Sequence, residues 1–273
     1  MIPVHVGPNG KSRYLGKLPH VPKATDLRLA KYLDVATLID VALAPLNLDW
    51  SAFPTPNGDL PTPDTDPLGN DRAGNCAWAG PGHMVNLIGK QVGRSDLVVT
   101  ADMAIAAYSK YTGYDPVTGA NDNGTVLRNV LAAWQKDGLY GTKCLAYALV
   151  DQTNRDEIAL AAWLGLGLIG GYNLPLASQN QNDSQGRPEW FVPPGGFPPG
   201  QGPGSWGGHC VYTHGDTGNT WGESVVMSQA WVKACCDELW IAVVDATNLA
   251  NGRVPAGFAW NDFLADVQAR QAA

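Results

Sequence analysis

The sequence predicts an α+β fold, because its periodicity changes along the chain. Helical patterns dominate residues 70–165, strand-like runs dominate 166–250, and an amphipathic helical pattern closes the chain at 258–272. Helices first and strands later imply two facing halves, one helical and one an antiparallel sheet. With 273 residues and 45% hydrophobic content, the chain can bury one large core. The expected organisation is an arm over 1–50 followed by a single domain over 51–273.

In chain order, the arm carries one helical pattern, about 27–42, between proline-containing flanks. Pro54, Pro56, Pro61, Pro63 and Pro67 make 53–70 a polar loop. Helices are expected near 83–91, 100–111 and 125–137. Thr100 is a cap candidate with Asp102 behind it, and Gly138 is a stop. A further helix spans 154–164, with Asp156 and Glu157 in its first turn, where the helix dipole favours acids. Residues 166–172 read as a buried strand. The segment 173–205 is rich in Gly, Pro, Asn, Gln and Ser around Trp190 and Phe191, and a loop that long reads as functional. Strands follow at 209–214, 220–227 and 239–244, with helices at 229–236 and 260–271.

Composition narrows the function. A formal net charge of -7 argues against a nucleic-acid surface. No apolar run reaches membrane-spanning length, and 1–17 lacks the apolar core of a secretion signal, so a cytoplasmic or virion-associated location is expected. Five cysteines, two of them adjacent at Cys235-Cys236, suit reduced thiols better than a disulfide framework. Their spacing fits no zinc pattern, so neither a metal nor a cofactor is expected.

The chemistry concentrates in two places. Gly69-Asn70-Asp71-Arg72-Ala73-Gly74-Asn75-Cys76 sets a cysteine after turn-forming residues and ahead of an apolar run. Amide N–H groups at a helix start would stabilise a thiolate and an oxyanion there. Far downstream, Gly207-Gly208-His209-Cys210-Val211 brings a histidine into a strand. A Cys early and a His late form the pattern of a cysteine nucleophile with its general base.

These segments resemble the papain-like cysteine peptidase superfamily. Asn70 stands six residues before Cys76, at the position of the oxyanion-hole amide. Cys76-Ala77-Trp78-Ala79 matches the nucleophile and Gly208-His209-Cys210-Val211 the base. Asn219-Thr220-Trp221-Gly222 resembles the segment that orients the histidine and shields it with tryptophan, and Asn123-Gly124 precedes what resembles the middle helix. The order covers roughly 50–245. A closer likeness is to bacterial and phage-associated proteins that share the Leu18-Pro19 arm, Tyr114-Asp115-Pro116 through Gly124, and Trp206-Gly207-Gly208-His209.

The resemblance implies a papain-like fold and a peptidase or amidase acting on a peptide or protein substrate. Cys76 and His209 would be its pair, Asn70 its oxyanion donor and Asn219 its orienter. Trp190, Phe191, Trp206 and Trp221 would be substrate-binding walls, with 173–205 as a lid. Three features set expectations of their own. Pro81 inside a helix costs ~3 kcal/mol, so the helix is expected to begin at Gly80 or Pro81. Asn70 is one methylene shorter than the usual glutamine. A hairpin turning at 215–218 would set Asn219 against His214 and His209 near Ser224, making Glu223 and Ser224 further candidate orienters. The alternative function is a non-catalytic papain-fold interaction protein, for instance a virion decoration or attachment component, with virion or homo-oligomer contacts through the arm and 173–205. An acyl transferase using the same thiol is a third reading.

Overall fold

A computed structural model describes residues 4–7, 10–42, 64–214, 216–247, 250 and 254–272. Most of the expected proline loop over 53–70 lies outside them. The arm opens with a hairpin of β1 (Val4–Val6) and β2 (Ser12–Tyr14), runs through a short 3-10 turn (Leu29–Tyr32), and enters α1 (Val35–Ala42). The single helix expected over 27–42 is split, because Asp34 folds back to cap the second piece through Thr37. The helical half holds α2 (Cys76–Val92), α3 (Ala101–Thr112) and α4 (Leu127–Asp137), followed by the edge strand β3 (Cys144–Leu149) and α5 (Arg155–Gly165). Then come β4 (Leu168–Leu174), β5 (Glu189–Trp190), β6 (Gly207–His214), β7 (Thr217–Thr220), β8 (Glu223–Met227), α6 (Gln229–Cys235), β9 (Cys236–Val244) and α7 (Trp260–Ala272). β3 lies inside the stretch expected to be helical.

Local chemistry sets several of these limits. Thr100 caps α3 by accepting from the Met103 amide, Asn154 caps α5 by accepting from Asp156 and Glu157, and Gly113 ends α3 in a left-handed conformation. The start of α2 departs from expectation: it begins at Cys76 and carries Pro81 within it. Burial offsets that proline, since almost every side chain from Cys76 to Gly89 is buried.

Seven strands form one sheet in the order β3-β9-β4-β6-β7-β8-β5, antiparallel except where β5 meets β8. One face packs on α2, α3 and α4 through Cys76, Trp78, Leu131, Cys210 and Tyr212. The other packs on α5, α6 and α7 through Leu160, Trp231 and Phe263. Among the described residues, the arm joins the second cluster through Leu15, Leu29, Tyr32 and Leu38. Leu29→Ala should therefore destabilise the chain by about 2–5 kcal/mol. Urea unfolding should show a lower midpoint with an unchanged slope, whereas an unchanged midpoint would mean the arm is detachable. Among the described residues, no helix is long and apolar enough to cross a membrane.

Candidate active site

Cys76 is the first residue of α2. The turn delivering it is fixed from three sides: Asp122 accepts from the Gly74 amide at 3.0 Å, Asn75 Nδ2 donates to the Leu68 carbonyl at 2.9 Å, and Trp78 Nε1 donates to Thr125 Oγ1 at 3.0 Å. The sulfur is wholly buried. Burial pushes the thiol up to about 11, against backbone N–H groups of Cys210, Gly16 and Ala77 directed at it and the nearby Lys17 charge, all of which favour the thiolate. Cys76 and Cys210 belong to one buried cluster, which sets the first turn of α2 against β6 one residue from His209.

His209 is also fully buried. Its Nε2 meets Thr220 Oγ1 at 2.6 Å, and its ring lies flat on Trp221 with centroids 4.0 Å apart and planes 15° from parallel. Its Nδ1 has no hydrogen-bond partner. Burial, helped by the Arg13 charge, holds the imidazole well below its ordinary 6.5, so it is neutral. Cys76 and His209 share no hydrogen bond: Cys210 and Tyr212 face Cys76 and α2, and His209, alternating with them, lies on the opposite face of β6 with Val211 and Trp221. Trp221 adopts a left-handed backbone (φ 52°), uncommon for a bulky residue, and this carries its ring over the histidine.

The orienting contact comes from Thr220, not Asn219. The β6–β7 turn has two residues instead of four, so Tyr212 pairs with Asn219 and His214 with Thr217. Side chains alternate across a strand, so Asn219 faces α2 with Tyr212 while Thr220 shares the face of His209. Asn219 is buried there with Oδ1 unpartnered. Ser224 is exposed and Glu223 is ion-paired with Arg13, so neither reaches the imidazole. Replacing Thr220 by Val should leave Nε2 without a partner and cost about 1–3 kcal/mol, readable by urea unfolding. Thr220→Ser should recover most of that loss, and equal stability of the Val and Ser variants would remove the bond's role.

Of the four expected substrate walls, the three tryptophans are buried together in one core cluster, which leaves no exposed indole face for a substrate. Trp206 and Trp221 stack at 5.5 Å beside His209. Trp190 is core, packed between Trp221 and Trp231. Phe191 is half-buried and tied through its backbone to Gln181. Much of 173–205 is therefore fastened down, with a 3-10 turn at Leu176–Asn180, β5, and the Gly204 and Trp206 amides bonded to Asn173 and Leu174.

What fills the gap between the halves is the arm. The Tyr14 amide donates to the Asn70 carbonyl at 3.2 Å, and the Tyr14 carbonyl accepts from Asn70 Nδ2 at 3.2 Å and Trp221 Nε1 at 3.0 Å. The Gly16 carbonyl accepts from Thr125, the Lys17 amide donates to the Gly208 carbonyl, and the Leu18 amide donates to Thr125. Glycines permit this approach: a Cβ on Gly16 would lie 1.7 Å from the Gly74 oxygen, and one on Gly208 would lie 2.1 Å from the Lys17 oxygen. Cavities of about 490 and 300 Å³ lie elsewhere, beside Asn86 and beside Val232.

No protein-family model matches the sequence, and no curated protein matches it. Among solved structures, xylellain, a cysteine protease from Xylella fastidiosa, matches with a TM-score of 0.59 over 84% of this chain and 95% of xylellain. The fold is papain-like. At 13% identity the likeness is one of fold. The contacts around this candidate site that were missed in the sequence are those of Thr220, Gly16 and Lys17. Thr220 was findable by strand alternation once the turn is shortened to two residues. Gly16-Lys17 stands beside the Leu18-Pro19 motif, but nothing local says which cleft it enters.

Proposed function

We propose that this chain is a papain-like cysteine hydrolase of polypeptide or amide bonds, held closed by its own arm. The observation that carries the reading is Cys76 at the first position of α2, buried in one cluster with Cys210 of β6, the residue that follows His209. When the arm leaves, water and substrate enter, the desolvation that keeps the thiol protonated and the imidazole neutral falls, and Arg13 departs. His209 Nδ1 is unpartnered, and once β6 turns at Gly207-Gly208 to bring the ring from the Trp221 face to the α2 face it takes the thiol proton. The thiolate attacks the substrate carbonyl, His209 returns the proton to the leaving amine, and water then cleaves the thioester. Asn70 Nδ2, now donating to the Tyr14 carbonyl, and the Cys76 N–H would hold the oxyanion.

The arm-filled cleft and the raised thiol favour a second reading, a permanently closed interaction protein of the virion-decoration kind. A peptide pool digested by the chain and by its Gly16→Val variant separates the two. The substitution drives a side chain into Gly74 and should unseat the arm. Cleavage that rises in Gly16→Val and vanishes in Gly16→Val/Cys76→Ala supports the hydrolase. No cleavage by an arm-displaced, folded variant supports the interaction protein.

A further inference from the structure

The arm does more than lie in the cleft, for it plants a charged side chain in the wall. The Lys17 side chain is fully buried, with Nζ 2.7 Å from Asp237 Oδ2 and 3.5 Å from Glu238 Oε1. Glu238 is itself wholly buried, and its other oxygen meets Trp240 Nε1 at 2.7 Å and His20 Nδ1 at 3.0 Å. The socket is shaped for an inserted side chain. Gly171 forms one wall, where a Cβ would come within 2.3 Å of Lys17 Cε, 2.6 Å of Glu238 Cγ and 3.0 Å of Leu127. Its mouth opens where the Lys17 backbone bonds Gly208, next to His209, and one residue from the Gly16 contact with Cys76.

Two facts separate this socket from a simple structural ion pair. A buried carboxylate that loses its cation is strongly disfavoured, so an arm that leaves must be replaced by another cation if the cleft is to stay ordered. Lysine also fills the socket incompletely. Asp237 Oδ1 and Glu238 Oε1 are both buried and lack a hydrogen bond. The Lys17 ammonium ion-pairs with both carboxylates but leaves these two oxygens without a hydrogen bond, whereas the five donors of a guanidinium fork suit two carboxylates.

We propose that the Asp237–Glu238 socket is the selectivity pocket of the cleft and takes an arginine side chain of a polypeptide substrate, with Lys17 as its resident placeholder. The proposal rests on the cleft being a substrate cleft, as in the hydrolase reading. Selectivity comes from charge and donor number together: an arginine fork supplies donors for Asp237 Oδ1 and Glu238 Oε1, the two oxygens without a hydrogen bond beside Lys17, and an uncharged chain leaves the buried Glu238 and the half-buried Asp237 without the charge Lys17 provides. The arm and the substrate compete for one pocket.

The test uses the whole chain with Lys17→Ala to vacate the socket and Cys76→Ala to stop turnover. Two blocked peptides, identical except for arginine or norleucine, are titrated calorimetrically. Arginine should bind at least about 30-fold tighter, and Glu238→Gln should erase most of that preference. Equal affinities, or a preference untouched by Glu238→Gln, would overturn the pocket. Hydrolysis of the same peptides by Lys17→Ala with Cys76 intact keeps the two claims apart. Arginine-selective binding without turnover leaves the pocket standing and removes the hydrolase, while turnover blind to arginine does the reverse. Should Lys17→Ala fail to fold, Lys17→Arg decides: a better-filled socket should hold the arm tighter and slow alkylation of Cys76 by iodoacetamide, and a rate equal to or above that of the parent chain would overturn the proposal.

Discussion

Iodoacetamide should alkylate Cys76 in the intact chain about 100-fold more slowly than an ordinary cysteine at about pH 7.5, and Gly16→Val should restore most of that factor. The reactive species is the thiolate, and a thiol raised from 9.0 to about 11 holds about 100-fold less of it at neutral pH. The rate in the intact chain should climb about tenfold per pH unit, with no plateau below about pH 10. The linked stability follows in sign. A thiol whose folded value is raised favours the closed form below its ordinary 9.0, and that gain is lost as pH rises through about 11. For His209, held below 6.5, the gain is full above 6.5 and is lost as pH falls through its folded value. The arm should therefore sit most firmly between about pH 6.5 and 9, opening in acid and in alkali. A plateau already reached near pH 8 in the intact chain would contradict an arm that seals the thiol.

The second large effect lies in His209. In the arm-displaced Gly16→Val background, His209→Ala should lower kcat/KM for peptide hydrolysis by about 10³-fold, within the usual range for a positioned general base. Cys76→Ala should leave no measurable turnover. Because His209 also carries the Trp221 ring, a structural loss must be separated from a chemical one. Thr220→Val keeps the imidazole and removes its orienting partner, so it should lower kcat more than it raises KM, with the acid limb of the pH profile displaced. A His209→Ala variant that is folded by circular dichroism and hydrolyses at the parent rate would remove the base from the scheme.

The segments around Cys76 and His209 stood out in the sequence because their residue types are uncommon in those settings. A cysteine after Gly-Asn turns and a histidine entering a strand after two glycines have few structural reasons to stand there. The capped helices were equally legible, since Thr100 and Asn154 act through neighbouring amides. What failed depended on distance. Pro81 argued for a later helix start, and only the packing of α2 against the sheet reverses that local preference. Asn219 looked like the orienter, but a two-residue turn slides the hairpin by two positions and hands the role to Thr220. Trp190 looked like a cleft wall in polar sequence, yet it closes the core beneath Trp221. The arm was legible as an arm, while its seat on Cys76 was not, because hydrogen bonds through Gly16 and the Lys17 amide carry no side-chain signature.

The central claim is that Cys76 is a nucleophile driven by His209 once the arm moves aside. Peptide mapping of the Gly16→Val chain after treatment with an arginine-bearing peptidyl electrophile tests it most directly. The adduct should fall on Cys76 alone among the five cysteines, form readily near pH 7, and slow by at least about 100-fold when His209 is replaced by Ala. An adduct spread over Cys144, Cys210, Cys235 or Cys236, or one on Cys76 that forms at the same rate without His209, would contradict the account.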